Sequence, residues 1–135
     1  MRKKLNCILL VDDDPDDNYF HQIIIKKMNI VNCIDIARNG IEAIAYLKKE
    51  NQNPPDLIFL DLNMPKMNGW EFLEEYKNLS IAQKSKVLIV ILTTSASPEH
   101  IQKAKEIQDV TGFNSKPLTE EYLTGILEEH FKDYL

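Results

Sequence analysis

Cysteine is scarce: Cys7 and Cys33 are the only two in 135 residues. Two thiols cannot form a disulfide framework, and both lie in apolar strand-like runs, so buried free thiols in a reducing compartment are expected. Positive charge is also in deficit, with 16 Lys and Arg against 21 Asp and Glu and a net charge of -5. That sign is wrong for gripping a phosphate backbone, and no basic run or aromatic-interleaved patch offsets it, so nucleic acid is not an expected partner. Glycine is sparse and scattered at Gly40, Gly69, Gly112 and Gly125. A flavin or nucleotide binder would want a glycine-rich loop around phosphate, and none is written here. No run approaches the ~20 apolar residues of a membrane span. Met1-Arg2-Lys3-Lys4 carries the charge of a signal peptide, but the apolar segment after it is broken at Asn6 and ends at Asp12. The expectation is a cytoplasmic protein with no membrane partner, and a length that suits one domain over residues 1–135.

What the chain does have is short apolar runs that stop at polar residues. Leu57 to Leu60 ends in Asp61, followed by the loop Leu62-Asn63-Met64-Pro65. Leu5 to Val11 ends in Asp12-Asp13-Asp14, three acids whose mutual repulsion calls for a positive partner. Lys86 to Leu92 is the most continuous apolar run, as a central parallel strand covered on both faces should be, and it ends in Thr93-Thr94-Ser95. Val110 to Ser115 precedes Lys116-Pro117, and Asn32 to Ala37 is interrupted by Asp35, which suggests a sheet edge.

Helical patterns separate these runs. Asp14-Pro15 starts a helix over 15–28, with Phe20, Ile23, Ile24 and Met28 as its apolar face. Further helices are expected from Ile41 to about residue 50, from Gly69 to about Asn78, from Pro98 through Ile107, and from residue 120 to about 133 behind a Thr119 cap. Five strand-helix units in alternation predict an α/β fold, a flavodoxin-like doubly wound (βα)5 sandwich. Strand order 2-1-3-4-5 makes the first and third strands neighbours and leaves the Asp35 strand on an edge.

In such a sheet Asp12, Asp13, Asp61, Thr93 and Lys116 reach one rim, outside the carboxyl ends of the strands. The chemistry they suit is phosphoryl transfer. Asp61 serves as a carboxylate nucleophile, Asp12 and Asp13 as oxygen ligands for Mg2+, and Lys116 and Thr93 as donors to phosphoryl oxygens. His21, His100 and His130 fall on the helices without metal-ligand spacing, and are expected at surfaces or helix flanks. Trp70 is expected to pack beside the acidic rim.

The ordered set Ile8-Leu9-Leu10-Val11-Asp12-Asp13, Ala37-Arg38-Asn39-Gly40-Ile41-Glu42-Ala43, Asp61 through Gly69, Thr93-Thr94-Ser95 and Lys116-Pro117 resembles the receiver domains of two-component response regulators. The match runs over essentially the whole chain and is similar to stand-alone, chemotaxis-regulator-like receivers, including those paired with phytochrome-type kinases. The resemblance implies that Asp61 is the modified residue, taking a phosphoryl group from a sensor histidine kinase or histidine phosphotransfer protein. It implies that the Asn63 carbonyl joins Asp12, Asp13 and Asp61 at the Mg2+ site, and that the Lys116-Pro117 peptide is cis.

It further implies that Thr93 and Phe113 form a switch, and that output to a downstream protein runs through the face of the fourth helix, fifth strand and fifth helix. An apolar surplus at Tyr122, Phe131, Tyr134 and Leu135 suggests a homodimer through that face. Thr94 replaces a smaller residue usual in the family, and no acid stands at Asn63 or Ser95, so a phosphoryl lifetime of minutes or longer is expected. A signalling phosphoacceptor, not an enzyme acting on other substrates, is the reading. The alternative is an Mg2+-dependent aspartyl-phosphate phosphohydrolase, which would place a second acid where Asn63 stands.

Overall fold

Among the described residues of the computed structural model, which are 4–49, 55–84, 88–94 and 97–132, five parallel strands form one sheet in the order β2-β1-β3-β4-β5. The strands are β1 (Leu5–Val11), β2 (Val31–Ala37), β3 (Leu57–Leu60), β4 (Leu88–Thr93) and β5 (Val110–Ser115). Between and after them lie α1 (Pro15–Met28), α2 (Gly40–Lys48), α3 (Gly69–Tyr76), a single turn α4 (Ile81–Lys84), α5 (Pro98–Lys105) and α6 (Glu120–His130). Helices α1 and α6 cover one face of the sheet and α2, α3 and α5 the other, the expected doubly wound sandwich. The turn α4 has no counterpart in the sequence pattern, because four residues are too few to show a helical period.

Burial follows strand position. All four residues of β3 are buried, and Ile89, Val90 and Ile91 of β4 are buried between the two helical layers. Each such side chain contributes about 1.5–3 kcal/mol by leaving water, which is why these runs carry no polar interruption. The first two residues of the predicted fourth strand, Lys86 and Val87, lie outside the described residues. β2 is the exposed edge, as its Asp35 suggested, and there the expectation of two buried thiols fails: Cys7 is buried but Cys33 is exposed.

Local capping explains where helices start. Asp14 accepts hydrogen bonds from the Asp16 and Asp17 amides with Pro15 in the first turn, and α1 ends at Asn29, whose φ of 52° is left-handed. Asn68 and Glu71 form a reciprocal capping box at α3, while Ser97 and Thr119 cap α5 and α6. The helical ends fall short of the pattern: α3 stops at Tyr76, α5 stops before Ile107, and α6 ends at His130.

The face of α1 also differs. Phe20 and Ile23 are exposed, and the buried positions are Asn18, His21 and Ile25, with Ile24 and Met28 half-buried beside them. Two polar side chains face inward because the strand ends offer them backbone partners, so a count of apolar spacing alone sets the helix at the wrong rotation. On α6, Leu123, Ile126 and Leu127 are buried as expected. Tyr122 and Phe131 fold onto the same core and are half-buried, which leaves less free apolar surface than the sequence suggests; Tyr134 and Leu135 lie outside the described residues.

Candidate functional site

Three hydrogen bonds carry the parallel ladder one residue past the strands. The Asp12 amide donates to Ala37 O, the Asp61 amide to Val11 O, and the Lys116 amide to Thr93 O, each at 2.9 Å. The backbones of the first residues after β1, β3 and β5 are therefore fixed by the sheet, and their side chains project at its carboxyl rim. Registers Val11↔Leu60 and Leu60↔Ile91 hold the strand ends level. The loop after Asp61 is drawn back by Gly69 N donating to Leu62 O at 3.0 Å. A Cβ at Gly69 would lie 2.5 Å from Asp61 O and 2.9 Å from Leu62 Cα, so this close approach requires glycine.

The side chains converge. Lys116 Nζ lies 2.6 Å from Asp12 Oδ2, 2.8 Å from Asp17 Oδ2 and 3.6 Å from Asp61 Oδ1. Asp12, Asp61 and Thr93 are buried, and Asp13 is exposed at the mouth. Burial, then the Asp12 charge, pushes the Asp61 carboxyl up to about 6, against the pull of Lys116, the Thr93 hydroxyl and the Leu62 amide. For Lys116, burial alone would favour the neutral amine, but hydrogen bonds to Asp12 and Asp17 outweigh it and hold the ammonium above its usual range.

Carboxylate oxygens of Asp12, Asp13 and Asp61 all lie within 4.8 Å of one another. Three crowded oxygen donors, one of them with its ionisation suppressed by burial and by Asp12, fit a hard divalent cation. Asn63 follows on the exposed side of the Asp61 loop, and Thr94 is exposed beside the site. Phe113 lies two residues before Ser115, the register partner of Thr93, and is half-buried. Ser95 lies outside the described residues. The Lys116-Pro117 bond is cis, as the resemblance implies.

Three residues of α1 belong to this site and were not anticipated: Asp17, Asn18 and His21. Asn18 Nδ2 donates to Asp12 O at 2.9 Å, and Asp17 holds Lys116. His21 is buried, not a surface residue, and its Nε2 accepts the Leu118 amide at 3.4 Å. Burial and the nearby Lys116 charge lower its pKa, partly opposed by Asp17 and Asp12. A cavity of about 10 Å³ lies among Asp12, Asn18, His21 and Asp61, enough for one water, and Asn18 Oδ1 is buried without a hydrogen-bond partner among the described residues. The i, i+1, i+4 spacing of these polar residues behind Pro15 was the available signal. Trp70 instead packs on α5, with Lys103 Nζ 4.4 Å from its ring centroid and the His100 ring tilted beside it at 5.8 Å.

The model of the response regulator receiver domain matches residues 8–128. The chain belongs to the response regulator receiver family. Response regulator Rcp1 of Synechocystis sp. is 36% identical over 104 residues, covering 74% of this chain and 69% of that protein. A two-component response regulator from Cytophaga hutchinsonii superposes with a TM-score of 0.84 at 30% identity, covering 94% of this chain and 97% of that one. The Mn(2+)-bound form of Rcp1 superposes with a TM-score of 0.75 at 30% identity, covering 95% and 94%.

Receivers are signalling phosphoacceptors, and the function of this chain is phosphorelay signal transduction. The phosphohydrolase reading is not favoured, since Asn63 at its general acid position has no proton to shuttle. The acidic pocket is one that can hold a divalent cation. Among the described residues no helix is long and apolar enough to cross a membrane.

Proposed function

We propose that residues 1–135 act as one cytoplasmic receiver domain in which Asp61 is the phosphoacceptor and Mg2+ the resident ion. The observation that carries this reading is the convergence of Asp61 with Asp12, Thr93 and Lys116 at a rim whose backbone the sheet itself fixes. Asp12, Asp13, the Asp61 carboxylate and the Asn63 backbone carbonyl would hold Mg2+, which when bound neutralises the acid cluster and the incoming phosphoryl oxygens. A carboxylate oxygen of Asp61 attacks phosphorus as the bond to a phosphohistidine nitrogen breaks, leaving a mixed anhydride on Asp61 and a histidine that takes up a proton. The freed electron pair stays on the imidazole nitrogen.

Lys116 and the Thr93 hydroxyl then donate to the equatorial oxygens, Lys116 moving its interaction from carboxylates to phosphoryl. The donor class is a sensor histidine kinase or a histidine phosphotransfer protein. Thr93 and Phe113 form the switch, and output to a downstream protein, or to a second copy of the chain, runs through the face of α5, β5 and α6. With Asn63 and Thr94 flanking the acceptor and no acid there to place a water, the phosphoryl group persists for minutes or longer. The chain acts on no other substrate. Incubation with a small phosphodonor should add one phosphoryl mass to the intact protein when Mg2+ is present. Undiminished labelling in a chelator would refute the metal requirement, and loss of the label within seconds would refute the lifetime.

A further inference from the structure

Cys7 and Cys33 are register partners across β1 and β2, and Asp35 follows two residues along the same face of β2. Both sulfurs and a carboxylate oxygen of Asp35 lie within 4.8 Å of one another. Cys7 Sγ is 3.6 Å from Asp35 Oδ2 and 3.5 Å from the Tyr46 hydroxyl, which donates to the same Asp35 Oδ2 at 2.6 Å. Tyr46 comes from α2, so the helix closes the cluster on one side, while the exposed Cys33 leaves it open at the sheet edge. Asp12 is five residues further along β1, about 16 Å at the rise of a strand, so this cluster is separate from the phosphoacceptor rim.

We propose that Cys7, Cys33 and Asp35 form a second metal site, for a thiophilic cation of the Zn2+ class, with Tyr46 orienting the carboxylate and a solvent water at the open edge completing the coordination. Two sulfurs and one carboxylate select against Mg2+, which prefers oxygen and six-fold geometry. A tetrahedral ion at the usual Zn–S and Zn–O lengths sets a sulfur-to-oxygen edge of about 3.6 Å and a sulfur-to-sulfur edge of about 3.8 Å, which the cluster meets with small side-chain shifts. Without a cation, burial and the hydrogen bond to Cys33 push the Cys7 thiol up to about 12. Each metal-sulfur bond forms as the sulfur gives up its proton to solvent. The Tyr46 hydroxyl is the outer hydrogen bond that ligating carboxylates usually carry. Binding there ties the edge strand β2 to β1 and α2, and so makes folding stability depend on the cation.

The test uses Co2+ as a probe on the full chain, kept reduced by a phosphine, with excess Mg2+ filling the oxygen site. One equivalent should bind with thiolate-to-cobalt charge-transfer absorption and the intense visible bands of tetrahedral cobalt, and one equivalent of Zn2+ should displace it. Cys33→Ser, at an exposed position, should abolish the charge transfer, and Asp35→Asn should weaken binding at least tenfold. Cobalt that binds without charge transfer, that Mg2+ displaces, or that Cys33→Ser binds equally well overturns the proposal.

Discussion

At Asp61, the proposed phosphoacceptor, function and stability conflict. A carboxyl raised from 3.8 to about 6 in the folded chain holds its proton more tightly there than when unfolded. Its unfavourable contribution is absent below pH 3.8, grows as pH rises to about 6, and then stays constant. Asp61→Asn should therefore stabilise the metal-free protein above pH 6 by about 1–2 kcal/mol, measured as a shift of the urea midpoint in a chelator. Added Mg2+ should stabilise the parent chain and shrink that difference.

His21 runs the other way. Its pKa is lowered, so stability present above the unfolded value of 6.5 is lost as pH falls below it. His21→Gln, whose amide oxygen can still accept the Leu118 amide, should flatten that loss; urea midpoints at pH 7.5 and 5.5 would read it. Equal pH dependence in both chains would mean that His21 titrates unperturbed.

At the scale of elements, the site depends on ladder bonds that outrun the strands and on one tight loop. Gly69→Ala places a methyl against backbone that cannot step aside, and overpacking of this kind costs about 1–3 kcal/mol. Mg2+ affinity should fall with it, because the atom struck is the carbonyl of Asp61. The switch belongs here too. Phe113 is half-buried and lines, with Ile101 and Ala104, a groove of about 250 Å³, and the proposed switch has it turn inward once Thr93 moves toward a phosphoryl oxygen. Crystals of the free and beryllofluoride-bound chain should differ in the Phe113 rotamer, whereas Thr93 and Phe113 unmoved would end that idea.

Strands β1 and β5 and helix α1 were legible to the residue in the sequence, because apolar runs bounded by Asp12, Lys116 and Asp14-Pro15 state their own limits. The rotation of α1 was not. Its inward face includes Asn18, which bonds the Asp12 carbonyl just before the helix, and His21, whose partner Leu118 is 97 residues away and invisible to any local pattern. Asp12, Asp61, Thr93 and Lys116 could be read from strand ends alone, while Asp17 entered the site only through its ion pair with Lys116, 99 residues away in sequence. Cys33 was misjudged because an apolar neighbourhood does not reveal that its strand is the sheet edge, where a side chain on the helix-covered face still reaches solvent.

For the whole molecule, one sheet between two helical layers brings four strand ends together at one polar rim. Membership of the receiver family places the chain in phosphorelay signalling, and the central claim is that the phosphoryl group sits on Asp61 as an acyl phosphate. Borohydride reduces an acyl phosphate to an alcohol and so converts a phosphorylated aspartate to homoserine. Phosphodonor treatment with Mg2+, followed by reduction and peptide mass spectrometry, should find that conversion at Asp61 alone and none in Asp61→Asn. Conversion at Asp12 or Asp13 in the parent chain, or an unmodified Asp61 in protein that carries the added phosphoryl mass, would contradict the account.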